Sequence, residues 1–150
     1  MNAMSKKTEL QDALKLAMKA NDELRKRTLR LAMLSIRIAE DEKRADLDEN
    51  EILAVLQKEV KSRREVVEDA NRAGRPELAT QAEAEMRVLE EFLPQPMTDG
   101  ELESFAKAAI IETGATSPAE MGQVMKILMP RIAGRATGQQ ASQVVRKLLQ

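Results

Sequence analysis

The chain has 150 residues, 43% of them hydrophobic, enough for a modest core in one domain or two small ones. It has no Cys and no His, which excludes disulfides, thiolate and imidazole chemistry and the usual zinc sites. Lys plus Arg number 24 against 25 Asp plus Glu, so a net charge of -1 gives no global attraction to polyanions, and a nucleic-acid face would need local asymmetry.

Aromatics are 1%, the two being Phe92 and Phe105, so the core must be built from Leu, Ile, Val, Ala and Met, and stacking platforms for single-stranded bases are missing. Met1 to Glu9 is polar, and no apolar run approaches the roughly 18 residues of a membrane helix. A soluble, cytoplasmic protein with no membrane contact is expected. Met4 offers an alternative start, which would make Met1 to Ala3 an extension.

Leu10, Ala13, Leu14, Ala17 and Met18 recur at helical spacing behind Ser5, a candidate cap. Asn21 and Asp22 interrupt this helix. From Leu24 to Ala39 the residues Leu29, Leu31, Ala32, Met33, Leu34, Ile36 and Ile38 leave little polar circumference, which predicts a buried helix. Glu40 to Asn50 reads as a charged connector, and Asp48 with Glu51 has the form of a capping box. The long helix that follows carries a narrow stripe of Ile52, Val55, Leu56, Val60, Val67 and Ala70. Lys58, Lys61, Arg63, Arg64, Glu65, Glu68 and Asp69 are expected to face solvent.

Gly74 and Pro76 set a glycine after one helix and a proline at the start of the next, which predicts a helical hairpin. Its second arm carries Leu78, Ala82, Met86, Leu89 and Leu93. Pro94 and Pro96 cannot both sit inside a helix, so residues 94–97 read as a proline hinge between domains at 1–93 and 98–150. Beyond it, Thr98 and Glu101 form a second capping box before Leu102, Phe105, Ala106, Ala109 and Ile110, and Gly114 should end that helix.

Ser117, Pro118 and Glu120 then combine an N-cap, a first-position proline and a reciprocal Glu. Met121, Val124, Met125, Leu128 and Met129 are expected to face inward, followed by a basic, glycine-bearing loop from Pro130 to Gly138. Thr137 and Gln140 cap a last helix with the stripe Ala141, Val144, Val145, Leu148 and Leu149. The fold class is therefore all-α, with an N-terminal helical domain containing a long hairpin and a small C-terminal three-helix domain.

No catalytic residue stands out. Ser117 is the tempting nucleophile, but a cap also explains Pro118 and Glu120. The carboxylate pairs Asp41-Glu42, Asp48-Glu49 and Glu90-Glu91 are ordinary on helical surfaces, since catalysis needs a cleft and a shifted pKa. Met121, Met125 and Met129 share a helix face that suits a partner groove or, more simply, an aromatic-poor core. Gly122 inside a helix costs about 1 kcal/mol relative to Ala and suggests close approach of another backbone.

From Met121 to Gln150 the charged residues are Lys126, Arg131, Arg135, Arg146 and Lys147, with no acid among them. Such a locally cationic segment suits phosphate, with glycine turns and helix N-termini adding backbone donors. Arg25, Lys26, Arg27 and Arg30 form a second basic cluster, softened by Asp22 and Glu23.

One ordered set of residues carries a resemblance. Glu112-Thr113-Gly114-Ala115, Met121-Gly122-Gln123-Val124-Met125, Leu128-Met129-Pro130 and Gly134-Arg135-Ala136 resemble the GatB/YqeY family. Leu29-Arg30-Leu31, Val55-Leu56-Gln57-Lys58-Glu59, Arg63-Arg64, Ala73-Gly74-Arg75 and Leu89-Glu90-Glu91-Phe92-Leu93-Pro94-Gln95 agree in order, so the resemblance covers nearly the whole chain and suits a stand-alone YqeY-like protein.

The resemblance implies the two-part helical fold and a relationship to the C-terminal tail of the B subunit of the tRNA-dependent amidotransferase. That tail helps hold tRNA, while the chemistry lies in other domains and subunits. The chain departs from the family pattern at Gln123 and Ala133, where basic residues are frequent, and at Thr137, where Asp is frequent. Losing positive charge at two turns weakens a tRNA reading, whereas Thr137 can still cap.

The resulting expectation is a non-catalytic accessory module without cofactor or metal, contacting tRNA or a tRNA-linked enzyme. Lys126, Arg131 and Arg135 would engage phosphates, assisted by Arg146 and Lys147. The competing expectation is a protein-interaction adaptor that uses the hairpin or the Met face, with no nucleic-acid role.

Overall fold

The computed structural model describes residues 4–150, so the alternative start at Met4, with Met1 to Ala3 before it, falls at the edge of the described residues. Seven α-helices and no strand occur among them: α1 Lys6–Lys19, α2 Glu23–Lys43, α3 Glu49–Arg72, α4 Pro76–Glu90, α5 Asp99–Thr113, α6 Met121–Ile132 and α7 Gly138–Leu149. The protein is all-α. It folds as two compact units, Met1–Leu93 and Pro94–Gln150.

In the first unit, local chemistry sets each helix end. Ser5 accepts from the Thr8 N–H to cap α1, and Asp22 accepts from the Arg25 N–H to cap α2. Asp48 and Glu51 complete a reciprocal capping box at α3. Gly74, at φ +69, turns the α3–α4 hairpin: the Arg75 N–H reaches the Ala70 carbonyl at 2.8 Å and the Gly74 N–H the Asn71 carbonyl at 3.3 Å. This is a Schellman ending, and Pro76 then starts α4. Leu10, Leu29, Ala32, Ile36, Leu56, Val60, Leu89 and Phe92 meet in the unit's core.

Four expectations change here. The apolar circumference of α2 does not bury the whole helix, because α1, α3 and α4 cover only part of it. Leu31, Leu34 and Ile38 remain 43%, 52% and 50% exposed. The connector expected from Glu40 starts later, since α2 continues to Lys43 and ends at a left-handed Arg44. There the Glu40 carboxylate accepts from Lys7 Nζ at 2.6 Å and the Leu47 N–H at 3.0 Å. In α4, Leu78 faces solvent while Ala79 and Ala82 are buried.

The fourth change concerns Arg63, expected at the surface but only 8% exposed. It occupies the stripe of Leu56, Val60, Val67 and Ala70, whose alternating steps of four and three follow the seam of two packed helices. Its Nε donates to Glu85 of α4 at 3.0 Å, and its Nη1 donates to Glu59 at 2.8 Å. Glu85 also accepts from Arg27 of α2 at 3.1 Å, and Glu59 from the Ser35 hydroxyl at 2.7 Å. Three helices thus meet on one ionic network.

In the second unit, Thr98 with Glu101 and Thr137 with Gln140 form the expected capping boxes. Gly114 ends α5 at φ +71. Ala106, Ala109, Val124, Leu128, Ile132, Ala141 and Val145 form the core, and Met121, Met125 and Met129 pack against it half-buried. The shared methionine face is therefore largely core.

Three local expectations are corrected. Ser117 takes the cap position of a short 3-10 turn, Pro118–Glu120, but its side chain makes no cap bond. Glu120 instead accepts from the Thr116 hydroxyl at 3.3 Å. The loop expected from Pro130 begins after Ile132, because Pro130 forfeits one bond near the end of α6 while Ile132 is fully buried and holds the turn. Gly122 meets no other element among the described residues: beyond its own stretch of helix, a Cβ there would find no heavy atom within 4 Å.

Candidate nucleic-acid interface

The five cations expected to meet phosphate occupy different positions. Lys126 lies within α6, Arg131 in its last turn, Arg135 in the α6–α7 turn, and Arg146 and Lys147 in the last turn of α7. The acid-free run from 121 to 150 does not stay acid-free in three dimensions, because α5 supplies carboxylates. Arg131 Nη2 pairs with Glu112 Oε2 at 2.6 Å. Arg135 Nη2 donates to Glu101 Oε2 at 2.8 Å, and its Nε donates to the Gln95 carbonyl at 2.9 Å.

Lys126, Arg146 and Lys147 are exposed and have no ion pair or hydrogen bond among the described residues. Register sets Lys126 on the far side of α6 from Val124 and Lys147 on the far side of α7 from Val145. Arg146 and Lys147 also complement the negative end of the α7 dipole. These three retain free charge.

The second basic cluster is more fully neutralised than Asp22 and Glu23 alone suggest. Arg25 pairs with Glu91, Lys26 with Glu23 at 2.8 Å, and Arg27 with Glu85 at 3.1 Å. Only Arg30 of that cluster has no ion pair among the described residues.

The perturbed titrations all favour charge. The Lys7 ammonium, then the Leu47 N–H, hold the Glu40 carboxyl below the usual carboxylate range. Lys43 and the Asp48 N–H do the same for Glu51, while Glu51 in turn raises Lys43. Arg135, then the Thr98 N–H, lower Glu101. A general acid near neutrality needs a raised carboxyl, and a Lys base needs a lowered amine, so these shifts belong to ion pairs. Among the carboxylate pairs, Asp48 caps α3, Glu49 accepts the Lys6 N–H and Glu91 holds Arg25. No group of three acidic residues among the described residues is arranged to hold a metal ion, and no helix there is long and apolar enough to cross a membrane.

Reading the sequence missed the neutralisation of Arg131 and Arg135, since each acid lies far away in the chain. The stripe through Val60, Arg63 and Val67 was the available signal for Arg63. No curated protein matches the chain. The profile of the family described as Yqey-like protein matches residues 7–149. With essentially its whole length matched, the chain belongs to the Yqey-like protein family.

Proposed function

We propose that the protein is a non-catalytic accessory module that contacts tRNA, or a tRNA-linked enzyme, through Lys126, Arg146 and Lys147. The observation that carries this reading is that these three cations are exposed and have no internal partner, whereas Arg131 and Arg135 are held by α5. The resemblance to the tRNA-holding tail of the amidotransferase B subunit supports the choice of ligand. The non-catalytic part follows from the same resemblance, in which the chemistry lies in other domains and subunits.

Arg131 and Arg135 contribute to the field, but engaging phosphate directly would require them to leave Glu112 and Glu101. The test is binding of the purified full chain to total tRNA at several salt concentrations, beside Lys126→Glu, Arg146→Glu and Lys147→Glu. Affinity should fall steeply with salt, and each substitution should reduce the logarithmic salt slope by about 1. Affinity that ignores all three substitutions overturns the interface. Ammonia release from glutamine by the purified chain overturns the non-catalytic assignment.

A further inference from the structure

The α2 face left uncovered in the first unit borders a groove of about 780 Å³ between α1, α2 and the start of the α2–α3 connection. The half-buried Leu14 and Met33, the buried Ile36 and the exposed Leu34 give it an apolar lining. Arg30, Arg37 and Arg44 line the same groove and have no ion pair among the described residues. Arg30 and Arg37 stand seven residues apart on α2, about 10.5 Å at the helical rise, with Leu31, Leu34 and Ile38 beside them, and Arg44 follows at the C-cap.

We propose that this face is a docking site for an acidic amphipathic helix of a protein partner. The partner would lay apolar residues over Leu14, Met33 and Leu34 and present carboxylates at heptad spacing to the arginines. Asp41 and Asp46 also line the groove, near Arg44, and Glu40 is held by Lys7. The partner's carboxylates therefore belong mainly opposite Arg30 and Arg37. This proposal is independent of the RNA reading, which concerns the second unit.

The surroundings favour this occupant over others. A nucleic-acid strand would make no use of the Leu31, Leu34 and Ile38 stripe. A flat bilayer surface would not reach the half-buried Leu14 and Met33. A second copy joined by a two-fold axis at the middle of this face would oppose Arg37 to Arg37. An acidic helix satisfies both the charge and the groove.

The test uses the full chain and stapled, fluorescein-labelled helical peptides matched in length to α2. One peptide carries a Leu and Ala stripe flanked by Glu, and its counterpart carries Lys in place of every Glu. The acidic peptide should bind, and affinity should drop about tenfold or more for Leu34→Asp and for the double variant Arg30→Glu with Arg37→Glu. The Lys peptide should bind only that double variant. All substituted positions are exposed, and helical circular dichroism with an unchanged unfolding midpoint checks the fold. Failure of the acidic peptide to bind, or equal binding to the variants, overturns the proposal. So does binding to anionic vesicles, or self-association in sedimentation, that disappears in the same variants.

Discussion

Arg135 and Glu101 lie 34 positions apart in the chain, yet the guanidinium donates to the carboxylate at 2.8 Å. The same Arg135 donates from Nε to the Gln95 carbonyl, and its own carbonyl accepts the Met97 N–H at 2.9 Å. Because Pro94 and Pro96 have no N–H to donate, these two bonds hold the stretch from Gln95 to Met97. One side chain ties that segment, the first turn of α5 and the α6–α7 turn.

Arg135→Glu is therefore expected to lower the unfolding midpoint of the second unit, followed through the Ile132 methyl signal, whether or not RNA is present. Arg135→Lys should fall between the two, since an ammonium keeps the charge but loses the planar fork. A midpoint unchanged in Arg135→Glu would show that the ties are dispensable.

The same pair sets a pH dependence. Arg135 and the Thr98 N–H hold the folded Glu101 carboxyl below the ordinary Glu value of about 4.3. A depressed folded pKa gives stability that is complete above the unfolded pKa and is lost as pH falls through the folded one. The urea midpoint of the second unit should thus decline below about pH 4, and Glu101→Gln should flatten that part of the profile. Parallel profiles for the two proteins would count against it.

Arg63 poses the opposite problem, a cation that packing has enclosed between Glu59 and Glu85. Without Arg63, Glu85 keeps only the half-exposed Arg27 and Glu59 only the Ser35 hydroxyl, so Arg63→Met should cost about 2 kcal/mol, or roughly 10 °C in a unit of this size. Glu85→Gln added to Arg63→Met should recover part of the loss. Thermal melts of the single and double variants decide it, and a neutral single variant would mean that water reaches the network.

Legibility followed sequence distance. Capping boxes and glycine turns lie within a few residues, so Asp48 with Glu51, Thr98 with Glu101 and Gly114 could be read directly. Pairing between helices could not, which is why Arg131 and Arg135 read as free cations while Glu112 and Glu101 waited on α5. The exposure of Leu31, Leu34 and Ile38 was hidden for the same reason: helical periodicity says which residues share a face, not how many neighbours a small unit can supply. Arg63 was partly legible. Its four-and-three spacing placed it on the seam, but charge argued for solvent, and Glu85 resolved the conflict.

Two glycines separate conformational need from spatial need. Gly114 sits at φ +71, where an added Cβ meets no neighbour but the backbone itself disfavours one. Gly114→Ala should therefore cost about 1 kcal/mol. Gly122 has no such backbone requirement, lies in the first turn of α6, and has open space where a Cβ would go. Gly122→Ala should instead stabilise by about 0.5 kcal/mol, by restricting the unfolded chain and favouring the helix. The second unit's thermal midpoint should shift down in the first variant and up in the second. A loss of stability in Gly122→Ala would refute the reading of its surroundings as open space. Unchanged stability with weakened tRNA binding would instead assign Gly122 to close approach by the ligand.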